Sequence, residues 1–441
     1  SPPERLHWMS TSIDGSVNVT VFAFGSGPIP DAFVMLSNRE DTPYQGFTDA
    51  NGMITLSGPD VLGAQTVTAT AAGYSTTTVQ TVDAEDITIF LNLLDPQGQP
   101  GSGPLPPRGQ IYGNIRATGK LSDPDNEKEY DIAFVQTTQR TPWSPNPPPG
   151  QGGIVLGEGR YDIATRIGDM AVVGICGAYN EETQVFTPKL LAIERYVFIN
   201  DQERLNYDLE CNIPLEADIS FKLVNTSFAP SGPNNNRVEV FWNLGFEGVI
   251  RSPVIGESLS DVVTVSNQPV AEGVLADLVI DAWGGSYTFQ GGAPFSQSVR
   301  TNIVNTTQRV QLPTLLDVPE AINPLPGGNV ENGVIEFQAS GPFYPDFYSV
   351  TVRNDLGIPL YNWILPGTTT RAIIPDFPDF SSLPADMRPN PTPRSLFFMT
   401  VIAARVKGGH LYDEFTYRDF DNESWESYAV SSWLVRLPGS N

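Results

Sequence analysis

Histidine is the side chain that most often moves protons near neutral pH, and it occurs at only two positions, His7 and His410. His410 follows Gly408-Gly409 at an expected hairpin tip, and neither histidine adjoins a nucleophile motif. The elbow G-x-S-x-G and the metalloprotease motif H-E-x-x-H are both absent. The Gly-rich run Gly150-Gln-Gly-Gly-Ile154 follows prolines and lacks the Lys-Ser/Thr that grips a nucleotide phosphate. Paired carboxylates are abundant in so acidic a chain, but the gap between two of them across a cleft cannot be read from spacing. The expectation is a protein that is not an enzyme, with a carbohydrate-active enzyme as the alternative.

Two acidic runs have the chemistry of calcium loops. Asp123, Asp125, Glu127 and Asp131 lie within nine residues, and Asp419, Asp421 and Glu423 form a second group between two expected strands. Calcium takes several oxygen ligands from a flexible loop, so both runs qualify, although neither has EF-hand spacing. Calcium is the only cofactor the sequence suggests.

Aromatic side chains offer a second kind of site. Tyr361 and Trp363 alternate on one expected strand, and Trp143 stands in the proline-rich stretch Arg140-Thr-Pro-Trp-Ser-Pro-Asn-Pro-Pro-Pro149. They read as candidate stacking groups for a sugar or a protein partner, or as core filling and a fold-back of the loop. Cys176 and Cys211 both fall in β-patterned segments. They either pair as one disulfide, which fits an oxidising compartment, or stay as buried thiols.

These groups must be carried by strands. Of 441 residues, 40% are hydrophobic and 10% aromatic, enough for sizeable cores, while 40 Gly and 39 Pro are spread along the chain as turn formers. Long helical periodicities are absent, and no run reaches the eighteen or so apolar residues of a membrane span. Fifty acidic against 25 basic residues give a net charge of −25, which repels phosphate backbones and anionic bilayers and excludes nucleic acid as a partner. Four Asn-x-Ser/Thr sequons begin at Asn18, Asn225, Asn305 and Asn422 and matter only in a glycosylating cell.

From Val17 to Leu91 the order is an alternating strand (Val17, Val19, Val21, Ala23), then Asp31 to Ser37, the turn Thr48-Asp-Ala-Asn-Gly52, Thr66 to Thr70, Gly73-Tyr74 and Asp86 to Leu91. Asp49 and Asn51 can bond their own backbone and Gly52 supplies positive φ, so the tetrad reverses the chain tightly. On the Ala32-x-Val34 strand, the T-D-A-N-G turn and the Ala72-Gly73-Tyr74 triplet, this segment resembles the carboxypeptidase regulatory-like (transthyretin-like) domain family. The resemblance covers about a fifth of the chain and implies a scaffold with no reaction of its own.

The run Asp95 to Pro107 is rich in Pro and Gly and reads as a spacer. Alternation resumes at Gln110 and continues to about Leu312. From Pro319 on, seven strands are expected, at 334–337, 347–352, 360–364, 371–374, 395–406, 414–418 and 427–437. Their order, with Trp363 and the corner Ile374-Pro-Asp-Phe-Pro378, resembles a fibronectin type III module in pattern.

The expected fold class is therefore all-β: tandem antiparallel β-sandwich domains, immunoglobulin-like and transthyretin-like. Their spans are 1–94, a linker at 95–108, a composite region 109–316 divisible into 109–216 and 217–316, and 317–441. The modules are expected end to end. Ser1-Pro-Pro-Glu-Arg5 lacks the basic start and apolar stretch of a signal peptide and reads as a leader after processing, with a lipid tether as one use. The function expected is that of a secreted, periplasmic or cell-surface structural or binding protein, outer-membrane-tethered in one version. Protein partners or self-assembly are expected, a glycan as the alternative ligand, and a filament or envelope subunit as a third reading.

Overall fold

Strict alternation places Val17, Val19, Val21 and Ala23 on one buried face of the strand Asp14–Ala23, as period-two geometry demands. The same rule builds the rest of the chain. The computed structural model describes residues 11–23, 27–38, 42–94, 108–142, 151–156, 159–226, 235–270, 272–288, 293–339, 341–375, 396–420 and 422–437. Among them the regular elements are strands and a few 3-10 turns of three or four residues. Of the expected linker at 95–108, residues 95–107 lie outside the described residues, as does the leader at 1–10, while Arg108 already opens the strand Arg108–Ala117.

The dominant element is a twelve-stranded sheet. It runs in the order Val249–Ser258, Asn235–Asn243, Val279–Tyr287, Phe295–Ile303, Trp425–Val435, Phe397–Val406, Phe347–Arg353, Pro359–Pro366, Thr76–Val82, Gln65–Thr70, Phe33–Leu36 and Gln45–Phe47. Strands from three separate spans thus lie in one ladder. At one joint Phe295 to Ser298 pair antiparallel with Val430 to Ser427. At the other, Tyr361 to Ile364 pair parallel with Thr76 to Val79.

End-to-end modules would leave these edges open, with rows of unpaired N–H and C=O groups. Instead they are joined side by side, so each edge satisfies the other's backbone groups. Parallel pairing also joins Asn18 to Ala23 with Asp86 to Leu91, and Arg108–Ala117 with both Arg204–Asn206 and Leu209–Cys211. The sheets are therefore mixed and not purely antiparallel.

The strand Phe33–Leu36 is buried along its whole length. Val34 and Leu36 join the core under the N-terminal sheet, while Phe33 and Met35 join the core shared with Val350, Trp363 and Met399. Phe347 and Tyr348 divide in the same way between the two cores. One face of the long sheet is covered by Asp14–Ala23, Met53–Leu62 and Asp86–Leu91, the other by Glu320–Asn323, Val334–Gln338 and Arg371–Ile373. Burying a Val, Leu, Ile or Phe contributes roughly 1.5–3 kcal/mol, and here one strand supplies two cores at once.

The strand Gly168–Asn180 plays the same part in a seven-stranded sheet. Ala171, Val173 and Ile175 face one core, and Met170, Val172 and Cys176 face another. The segment 414–418, expected as a strand, is instead taken up by the 3-10 turns Tyr412–Glu414 and Tyr417–Phe420. The reason is packing: Phe415 and Phe420 turn inward, edge-on to Phe347 at 5.6 and 5.1 Å. The Tyr412 hydroxyl reaches the carbonyls of Gln80 and Ile364, which closes this loop over the joint between the two spans.

Candidate functional site

Most of the side chains singled out by type serve the fold. Trp363 is fully buried, its indole N–H donates to the Ile373 carbonyl at 2.9 Å, and its ring stacks on Tyr361 at 5.7 Å. Tyr361 is itself 5% exposed. The expectation of a stacking face there is corrected: alternation along Pro359–Pro366 sends both rings into the C-terminal core. Trp143 lies outside the described residues.

The first acidic run is a capped loop. The Asp131 carboxylate accepts the amides of Leu121 and Ser122 at 3.1 and 2.6 Å, and Asp123 accepts the amide of Asp125 at 2.9 Å. Burial alone would raise the Asp131 carboxyl, but those bonds hold it below its usual range. Asp125 and Glu127 point to solvent. In the second run Asp419 is buried and accepts both the amide and the hydroxyl of Thr416, while Glu423 accepts the Thr141 hydroxyl. Asp421 lies outside the described residues. Among the described residues no group of three or more His, Cys, Asp or Glu side chains is placed to hold a metal ion. The described residues thus give the calcium expectation no ligand group, since the Asp131 and Asp419 oxygens close turns.

Cys176 and Cys211 are bonded to each other at 2.03 Å and are fully buried. The bond ties Gly168–Asn180 in the seven-stranded sheet to Leu209–Cys211 in the four-stranded sheet opposite. Both sulfurs sit among Ile115, Val172, Ala192 and Leu209. In the N-terminal sandwich, Asp49 accepts the amides of Asn51 and Met53, both at 2.9 Å. Gly52 has φ 72°, with the Val21 carbonyl only 2.7 Å from where a Cβ would stand.

The residues that the structure assembles are others. In the pairing of Gly168–Asn180 with Val185–Ile199, Met170 faces Val197 and Val172 faces Glu194, so Arg195 and Tyr196 together oppose Ala171. One side chain of this bulged pair is buried and the other exposed. Arg195 turns inward, its side chain 4% exposed, and Tyr196 turns outward at φ 61°, a region bulky residues avoid.

Inside, Arg195 meets Glu247, whose side chain is fully buried, donating from Nε at 2.6 Å. Two further nitrogens bind the Asp277 carboxylate at 2.9 Å each, and the Val274 carbonyl accepts at 2.8 Å. The other Glu247 oxygen accepts the Tyr196 amide at 2.6 Å. Arg195 is held still more firmly in its charged form by these bonds to Asp277 and Glu247. Its guanidinium draws the Asp277 carboxyl below the usual carboxylate range.

Glu247 belongs to the short turn Gly245–Glu247, which the neighbouring sandwich also grips. Arg166 and the Thr138 hydroxyl donate to the Glu247 carbonyl, and Gln139 and Val249 exchange two backbone bonds of 2.8 Å. A Cβ at Gly248 would stand 1.9 Å from the Gln139 carbonyl, so only glycine permits this approach.

Above the clamp two rings stand in solvent. Tyr196 is 67% and Phe246 69% exposed, their centroids are 6.1 Å apart, and their planes differ by 30°. The Arg195 guanidinium lies 5.1 Å from the Tyr196 centroid. Half-exposed Val274 lies beside this clamp through its carbonyl contact with Arg195, and Phe198 follows on the same outer side of the strand.

Sequence reasoning passed over this site, though two signals exist. Glu194-Arg195 sets two charged residues inside the largely apolar run Leu190 to Ile199, and Gly245-Phe-Glu-Gly248 sets an aromatic between two glycines. A separate open cleft of about 570 Å³ lies where the middle and C-terminal spans meet, lined by Arg300, Gln311, Lys407 and Glu426 among others. Among the described residues its only lining carboxylate is Glu426, which gives no carboxylate pair of the glycosidase kind there.

Asp317 is a local fault in the polar bookkeeping. One of its carboxylate oxygens is buried without a hydrogen-bond partner, close against Gly341. Desolvation raises its carboxyl above the usual range. A raised folded value means that the unfavourable term is absent at acid pH and appears as pH rises through that value. Asp317→Asn is therefore expected to stabilise the protein by about 1 kcal/mol near neutral pH. The gain should shrink as pH falls toward about 4, and a Tm series across pH measures it. A gain that does not depend on pH would refute the assignment.

No protein-family model matches the sequence, and no curated protein matches it. Among solved structures, a candidate adhesin from Bacteroides ovatus is 10% identical, with 46% of this chain and 92% of that one covered and a TM-score of 0.17. A streptococcal ancillary pilin is 9% identical over 68% of this chain and 99% of that one, with a TM-score of 0.14. The FN1-FN3 domains of chicken CNTN1 are 10% identical over 68% and 94%, also with a TM-score of 0.14. Likeness at this level carries no function across. The all-β architecture stands on the strand pairing itself, and no described helix is long and apolar enough to cross a membrane.

Proposed function

We propose that this chain is a non-catalytic structural and binding component of an extracellular or cell-surface assembly. The observation that supports this reading is the twelve-stranded ladder running through three spans of the sequence. Contacts between domains of one chain normally permit relative motion. Here backbone pairing and shared cores replace such contacts at two joints, which suits a stiff spacer that presents a fixed surface. The disulfide fits an oxidising compartment, and the net charge of −25 favours solubility.

Within this proposal the N-terminal sandwich is a carboxypeptidase regulatory-like module, supported by its tight Asp49 turn. Cell fractionation with cross-linking of the native protein tests the reading. It is expected in the surface or secreted fraction, joined to a macromolecule of that compartment. Recovery as a free cytoplasmic chain, or steady turnover of a hydrolase substrate, would overturn the proposal.

A further inference from the structure

Two large rings left two-thirds in solvent bury little apolar surface, yet the chain adopts a disfavoured backbone at Tyr196 and buries a charge network beneath it. Strain of this kind persists where its surroundings enforce it, and it concentrates at working surfaces. We propose that Tyr196 and Phe246 form a shelf that binds a neutral oligosaccharide by stacking on the apolar faces of its sugar rings. The proposal deepens the surface-binding reading above and rests on it.

Shape is the first argument. Planes differing by 30° with centroids 6.1 Å apart make a shallow open step, whereas the anchor residues of protein interfaces fill desolvated pockets ringed by water-excluding contacts. A sugar needs only an aromatic face for its C–H side while its hydroxyls stay hydrated or hydrogen-bonded. Order is the second. The Tyr196 amide is fixed by Glu247 and its ring is backed by Arg195, so binding loses little side-chain freedom.

The third argument is the polar rim. The Asp277 carboxylate has its two oxygens oriented by Arg195, and its side chain remains 58% exposed. It can therefore accept hydrogen bonds from hydroxyls. Charge then selects among glycans, because a chain of net charge −25 repels sulfated or uronic polymers. The class left is neutral sugars.

Calorimetric titration of the full chain with hexasaccharides of β-linked glucose, β-linked xylose, β-linked mannose and α-linked glucose tests this. Saturable millimolar or tighter binding to at least one is expected. Tyr196→Ala and Phe246→Ala should each weaken it by about tenfold or more, while Tyr196→Phe and the distant exposed Tyr344→Ala keep it. Retained binding by Tyr196→Phe separates loss of stacking from loss of folding. No saturable binding to any of the four sugars, equal binding by both alanine variants, or a protein cross-linked at the shelf in place of sugar binding would overturn the proposal. Each of these can occur with the protein still in the surface fraction, so failure here is distinct from failure of the broader reading.

Discussion

Glu247→Ala is expected to lower unfolding stability by about 3–5 kcal/mol, because it leaves Arg195 buried with half of its compensation removed. The Arg195 side chain is 4% exposed and retains the Val274 carbonyl and one carboxylate, Asp277, which is more than half in solvent. The Tyr196 amide and the strained backbone at φ 61° lose their anchor at the same time. Urea unfolding gives the size of the effect, and hydrogen exchange should place it in the strand Val185–Ile199 and the turn Gly245–Glu247. A double replacement, Arg195→Met with Glu247→Leu, should recover most of the loss, since it removes both buried charges and leaves only the Asp277 carboxylate, which is 58% exposed and stays hydrated. If Glu247→Ala costs less than about 1 kcal/mol, a value normal for exposed pairs, the clamp does not hold the bulge. Acidification should act in the same direction. Asp277 titrates below the ordinary carboxylate range, so its contribution is present at neutral pH and is lost as pH falls through that depressed value.

Removing the disulfide by Cys176→Ala with Cys211→Ala is expected to destabilise the chain by about 3–4 kcal/mol. This is the loop-closure entropy of the unfolded state for a separation of 35 residues. The loss should fall on the sandwich that holds Ile111 to Cys211, because the bond joins its two sheets through a core with no exposed thiol. The shared ladder, whose joints lie in other strands, should keep its exchange protection. The measurement is chemical unfolding of both proteins, with exchange read strand by strand. A change under about 1 kcal/mol would mean that packing of Ile115, Val172 and Leu209 alone secures the two sheets.

Local pattern carried much of the architecture. Val17, Val19, Val21 and Ala23 declare a one-sided strand through their spacing, and the Asp49 to Gly52 turn declares itself through side chains that bond nearby backbone. Both depend on residues within a few positions of one another. The strand expected at 414–418 did not form, because Phe415 and Phe420 gain more by packing on Phe347, some 70 residues away in sequence, than a strand would offer. Trp363 and Tyr361 likewise look alike as core or as ligand groups until the face they point to is known.

By itself, then, the amino-acid sequence determined an acidic, β-stranded chain without a recognisable catalytic motif, since composition and period-two alternation act locally. Only the tertiary structure decided that strand edges from distant spans pair into one ladder, that Asp131 and Asp419 close turns, and that Arg195, Glu247 and Asp277 converge beneath Tyr196 and Phe246. The physical reason is that edge pairing, burial of charge and the aim of a bulged side chain depend on contacts between residues tens to hundreds of positions apart, about which spacing along the chain is silent.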